Sequence, residues 1–327
     1  MTSDTKPGSD TSYFQGLAAF WRSWPNKPLL GIVLGAWILF FHFLGNSTLG
    51  YIPTKSLFGW LEGCYDASVD DSFGRVIPFI VLGLLFWKRL ALRASITGPW
   101  WGGFVILTMG TMLHIVGFLI QQTRFSALGF ILGLYGISGL VYGRRLMWMS
   151  TFPMLMLLFC VPLNALAESI TFPMRILVTQ LSVGTAHHGL GVDVYRNGSQ
   201  IMSVKGQAMY DVAPACSGIR SLVTLVALSM VYGYTSFNSS WKRTVIVLMA
   251  FPLAILGNWV RVTTVIVVGE AFGRDYGLMI ENKFGFITFA VALGGLLGVG
   301  ALLQEERQKP AQPPAKPEPP TLGPVTV

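Results

Sequence analysis

Stretch after stretch of this chain stays apolar for about as long as a helix needs to cross the ~30 Å hydrocarbon layer of a bilayer. The runs lie near 29–46, 76–91, 101–120, 125–143, 146–166, 217–236, 244–269 and 284–303. A water-soluble helix of that length breaks its apolar pattern with a polar face. These runs do not, so the sequence predicts an all-α polytopic membrane protein with about eight transmembrane helices. Composition agrees: 12% of residues are charged, against roughly a quarter in soluble domains.

The net charge of +8 is read first as topology. With the N-terminus inside, the short loops 88–99, 144–145 and 237–243 fall on one side and carry Lys88, Arg89, Arg93, Arg144, Arg145, Lys242 and Arg243. That is the distribution the positive-inside rule requires of cytoplasmic loops. The expectation is an inner-membrane, multi-pass protein with both termini in the cytoplasm. No basic stripe interleaves with exposed aromatics, so no nucleic-acid partner is expected. Residues 1–28 form a polar cytoplasmic segment, 29–303 the membrane domain and 304–327 a Pro-rich cytoplasmic tail. The first apolar run is too long for a cleavable signal peptide and lacks a small-residue cleavage site.

The longest segment outside the spans, 167–215, falls on the outer side. Residues 169–190 are apolar but interrupted by Arg175, Gln180, His187 and His188, a pattern that fits a helix lying in or re-entering the interface. Alternating runs then flank Asn197-Gly198. Asn-Gly supplies the two positive-φ residues of a tight hairpin turn, so a small outer β-hairpin is predicted. The hairpin leads into Val212-Ala213-Pro214-Ala215-Cys216-Ser217-Gly218-Ile219-Arg220.

Pro214 and Ser217 suit a helix entry, which sets the Cys216 thiol at a helix N-terminus, with Arg220 one turn on. Both features favour the thiolate, the nucleophilic form. The competing reading is a small buried residue without chemistry, and spacing alone leaves the two level. Cys160 sits in an apolar run beside Pro162, where packing is its expected role. Cys64, in the outer loop 47–75, offers a disulfide to Cys216 as a further alternative.

Arg261 lies inside the run Val245–Val268, with Asn258 three residues earlier on the same face. A charge in a span costs several kcal/mol and usually faces a polar cavity. Its alternatives are snorkelling to the outer interface or a structural pairing with Glu270 or Asp275.

At this point the residues resemble a known family. APACSGIRSL at 213–222, GNWVRV at 257–262 and ENKFGF at 281–286 look like the exosortase/archaeosortase family of membrane-embedded cysteine transpeptidases. FPMLMLLFCVPLN at 152–164 and GVDVYRNGSQI at 191–201 extend the resemblance upstream, over roughly residues 75–303. The resemblance implies a protease that cleaves a C-terminal sorting signal, typically with a Pro-Glu-Pro-like motif in bacteria. Its partners would be exported proteins bearing that motif, a transmembrane helix and a basic tail, with membrane lipid around them and the site facing the periplasm. Cys216 matches the nucleophile and Arg261 the essential arginine. The third position, usually His or Arg, is taken by Asn282, flanked by Glu281 and Lys283. Asp71-Ser72-Phe73-Gly74 stands where the family's early histidine pattern falls. Both departures imply a divergent bacterial subfamily.

With those roles, a Cys216 thioester would pass to an amine, a lipid head group or water. Arg261 and Asn282 would support the oxyanion, with Arg220, Asn258 and Lys283 supporting substrate or site. His187 and His188 are candidate proton carriers against a bland interfacial role. No HExxH, Walker loop, catalytic carboxylate pair or CxxC occurs, so neither metal nor cofactor is expected. The alternative class is a multi-span transporter or channel with an intramembrane arginine.

Overall fold

The computed structural model describes residues 22, 24–48, 52–68, 70–162, 164–198, 200–203, 209–211 and 219–303. Within these, only the backbone is described at 164–168, 170–171, 209–211, 219–220, 274, 278 and 280–284. The helices are α1 (Lys27–Leu44), α2 (Leu57–Ala67), α3 (Ile77–Trp87), α4 (Arg89–Ala94), α5 (Trp101–Leu119) and α6 (Thr123–Tyr142). Then come α7 (Arg144–Met156), α8 (Asn164–Gly184), α9 (Ile219–Ser236), α10 (Ser240–Phe272) and α11 (Arg274–Leu302). Between α8 and α9 lies a small antiparallel sheet of β1 (Val194–Asn197), β2 (Gln200–Ser203) and β3 (Met209–Asp211), in the order β1-β2-β3.

The surface identifies the solvent. Ile32, Phe79, Phe286 and Val291 expose between 67% and 77% of their area, while hydroxyls such as Thr108 fold back onto the carbonyl four residues earlier. Outward apolar side chains with internally satisfied polar groups fit a lipid environment. Among the described residues, five helices are long and apolar enough to cross a membrane: α1, α5, α6, α10 and the 285–302 part of α11. This is an integral membrane protein of the all-α polytopic class.

The remaining expected spans are shorter. Residues Ser72–Trp87 and Ser221–Ser236 form shorter apolar helices. The run at 146–166 does not make one span: α7 ends at Met156, a 3₁₀ turn covers Leu157–Cys160, and α8 begins at Asn164. Pro153 withdraws a donor inside α7, and Val161, ahead of Pro162, is extended at φ −79°, ψ 120°. A residue before proline is pushed out of the helical region, so the break follows from the sequence. The last helix differs the other way. It starts at Arg274, ten residues before the expected entry, because Gly273 at φ 98° turns the chain directly out of α10. Asp275 in the first turn suits the positive end of the helix.

The hairpin is present, but its turn falls one residue later than the sequence suggested: Asn197 closes β1 without a positive φ, and of the expected pair only Gly198 is left-handed. Asn197 pairs with Gln200 across the turn and Val194 with Ser203, and Gly198 has φ 64°. β3 adds a third strand, Tyr210 against Ile201, which alternation in the sequence did not announce. Val194 and Ile201 are buried with Val178, Val262, Val265 and Ile266. That cluster seats the sheet and α8 against the last third of α10.

Candidate functional site

The position of Arg261 follows from the C-terminal helices. Chain direction reverses at 237–239 and again at Gly273, so α10 runs antiparallel to both α9 and α11. Arg261 sits eleven residues before the end of α10, about 16 Å along its axis. At that depth the opening turn of α9 faces it from one side and the middle of α11 from the other. Ser221 and Leu225 of α9, Ala254, Gly257, Asn258 and Arg261 of α10, and Thr288, Phe289 and Ala292 of α11 line a common cleft. Its volume is about 10 Å³, room for about one water molecule.

The cleft is polar at its centre and apolar at its base. Asn258 is 7% exposed and Thr288 8%, and the Thr288 hydroxyl donates to the Gly285 carbonyl at 3.2 Å. Below, Leu225, Ala254, Ala292 and Leu296 belong to a buried apolar cluster. Two glycines set the width. A Cβ on Gly257 would stand 3.3 Å from the Thr288 carbonyl oxygen, and one on Gly285 would stand 3.2 Å from Cζ of Arg261. Gly285 is therefore the wall against which the guanidinium lies. A larger residue there would displace the cation from the cleft.

A structural pairing for Arg261 was the competing expectation. Among the described residues neither Glu270 nor Asp275 takes part in an ion pair; the pairs formed join Arg75 to Glu62 and Asp66. Oε1 of Glu270 is buried with no hydrogen bond among the described residues. Arg261 shares its cleft with hydroxyls and an amide, a polar setting for a cation inside the span.

Of the other residues singled out in the sequence, Cys216 lies outside the described residues. Arg220 lies in the first turn of α9, and Asn282 and Lys283 lie on α11 one turn before Gly285; their side chains are outside the described residues. His187 and His188 are exposed on a π-helical turn, Thr185–Gly189, with their rings 4.9 Å apart. His187 Nδ1 lies 3.3 Å from the Val192 carbonyl. They are exposed at the end of α8 and do not line the cleft. Cys64 and Cys160 are both free thiols. Burial pushes the Cys64 thiol up, with Asp71 adding to the effect and Arg124 opposing it. Ser221, Gly285 and Thr288 were not singled out from the sequence. A small residue at helix spacing signals nothing until the partner helix is known.

An α-helical membrane protein with an arginine held in a polar cleft inside the bundle is thus the class defined by fold and geometry. The particular family follows from comparison with known ones: the chain matches the family model described as transmembrane exosortase over residues 60–298. That is well over half its length, and the chain belongs to the transmembrane exosortase family. Membership carries a membrane transpeptidase-type role on exported proteins with sorting signals. Comparisons with curated proteins and with solved structures find no match.

Proposed function

We propose that the chain is a cysteine transpeptidase or protease that cleaves a PEP-CTERM-like C-terminal sorting signal on the outer face of the inner membrane, with Cys216 as nucleophile. One observation supports this best. The first turn of α9, which begins three residues after Cys216, contributes Ser221 to the same cleft as Arg261. The helix that follows the Cys216 segment in sequence and the helix that carries the cation therefore share a cleft, although 40 residues of sequence separate Ser221 from Arg261.

In this reading a Cys216 thiolate attacks the scissile carbonyl, forming an S–C bond and a tetrahedral oxyanion. Arg261 meets the developing charge, Asn258 and Thr288 hold the polar cleft, and Asn282 adds a donor one turn outward. A preorganised donor of this kind is worth roughly 3–4 kcal/mol. The C–N bond then breaks, the amine leaves after taking a proton, and the thioester passes its acyl group to an amine, a lipid head group or water. Arg220 and Lys283 would favour the anionic forms.

The test is processing of a partner protein bearing a C-terminal sorting motif, helix and basic tail. Cys216→Ala and Arg261→Ala are expected to abolish it while the variants still insert in the membrane. Processing by Cys216→Ala at the wild-type rate would end the proposal. The orientation has its own check. Cysteine-accessibility labelling at Asp275→Cys should succeed from outside and at Lys242→Cys should fail; the reverse would put the site in the wrong compartment.

A further inference from the structure

The end of the bundle opposite the sheet carries a second built feature, unconnected with Arg261. Lys88 and Arg243 both lie over the Tyr234 ring, at 4.1 and 5.4 Å, which brings 88–93 and 237–243 to one level. The backbone N–H of Thr97 donates to the Tyr142 carbonyl at 3.1 Å, which adds 95–100 and the start of α7 to it. Segments 88–100, 142–148 and 237–243 hold seven Lys and Arg residues and no carboxylate. Four tryptophans at this level, Trp87, Trp101, Trp148 and Trp241, are 53–80% exposed, as expected of indoles at the head-group layer of a bilayer.

Within this belt lies one pocket of about 470 Å³, lined by Thr97, Arg144, Arg145, Trp148 and Met149. Two left-handed glycines shape it. Gly98 is at φ 95° and Gly143 at φ 102°, and a Cβ on Gly143 would stand 2.2 Å from the Thr97 hydroxyl. Loop and helix start close on each other because Gly143 lacks a side chain, while Gly98 has open space around it and needs glycine for its φ. Arg144 and Arg145 open α7 with no acidic residue in its first turn and no side-chain cap. Two cations at the positive end of a helix oppose its dipole. Among the described residues neither has a carboxylate in ion-pair range. Trp148, one turn on from Arg144, gives the pocket an apolar wall with Met149.

We propose that this pocket binds the phosphate of an anionic phospholipid. Arg144 and Arg145 both line this pocket at the uncapped start of α7, and an anion there would relieve their repulsion with each other and with the helix end. The pocket far exceeds the space a phosphate ion needs, and Trp148 and Met149 suit the glycerol and upper acyl chain. The occupant is therefore a lipid rather than free phosphate. The proposal is independent of the cysteine chemistry, and either can fail alone.

The test is native mass spectrometry of the full-length protein in detergent, titrated with phosphatidylglycerol, phosphatidylcholine or inorganic phosphate. Arg144→Gln and Arg145→Gln are expected to weaken phosphatidylglycerol binding about fivefold each and roughly 25-fold together. Arg89→Gln with Arg93→Gln, which removes the same charge outside the pocket, should change it less than about threefold. Equal losses in both pairs would reduce the pocket to diffuse charge and overturn the proposal. So would phosphatidylcholine binding as tightly as phosphatidylglycerol, or phosphate displacing the lipid at equal concentration. Should the double variant fail to accumulate, the single variants at these exposed positions decide, and unchanged binding in both would overturn it.

Discussion

The α5–α6 pair and the α10–α11 pair both rely on glycine, for opposite purposes. In α5–α6 the backbones themselves touch. A Cβ on Gly103 would stand 2.1 Å from the Leu140 nitrogen, and one on Gly129 would stand 2.5 Å from the Gly110 carbonyl oxygen. Polar groups there are paired off internally. Ser126 bonds to His114 Nδ1 at 2.9 Å and to the Ser47 hydroxyl, while Thr123 donates to Asn46 at 2.8 Å. Trp37 of α1 donates to the Phe130 carbonyl at 3.1 Å and lies over Gly133. In α10–α11, Gly257 and Gly285 leave room for a guanidinium and about one water. Small residues can make a membrane bundle rigid by letting helices close up. The same residues can hold helices just far enough apart for a charge. The first region reads as scaffold and the second as site.

Substitutions that widen or fill each interface separate these roles. The largest effect is expected for Gly129→Val, whose branched side chain would run into the backbones of Gly110 and His114. The strain should exceed the ~1–3 kcal/mol typical of overpacking, and folded protein should be lost from detergent size-exclusion profiles. A monodisperse, active Gly129→Val protein would break the distinction. Next, Arg261→Lys should keep the fold and lower processing at least about 100-fold, because an ammonium cannot reproduce the planar fork. Gly285→Ala is the finest probe. A methyl 3.2 Å from Arg261 Cζ should slow processing roughly tenfold at unchanged thermal stability, given the sensitivity of catalysis to small displacements. A loss of stability with full activity would mean that Gly285 packs helices and does not shape the site.

Much of this was legible in the sequence because the bilayer imposes length on a span and forbids charge within it. Run lengths gave most of the helical positions, Asn197-Gly198 pointed to the hairpin although its turn falls one residue later, and a lone arginine in Val245–Val268 marked the cleft. Other features were hidden for physical reasons. Residues 274–282 are too polar for a hydropathy reading, yet helix formation there needs only Gly273 to reverse the chain. The break at 157–162 hid inside an apolar run, since proline interrupts hydrogen bonding without changing hydropathy. Ser221, Gly285 and Thr288 acquire meaning only from the neighbouring helix. β3 pairs through its backbone, which leaves little trace in side-chain pattern.

The central claim is that Cys216 works against the cation in the Arg261 cleft, and the titration of its thiol tests that most directly. With Cys160 replaced by Ala, alkylation rates of Cys64 and Cys216 can be followed against pH in one protein by mass spectrometry. Burial raises the Cys64 pKa, so its thiolate is scarce at neutral pH and its midpoint should lie above the ~8.5 of a free thiol. Cys216 should titrate below that value, and Arg261→Gln should move its midpoint upward while leaving Cys64 unchanged. A Cys216 midpoint no lower than that of Cys64, indifferent to Arg261, would contradict the account.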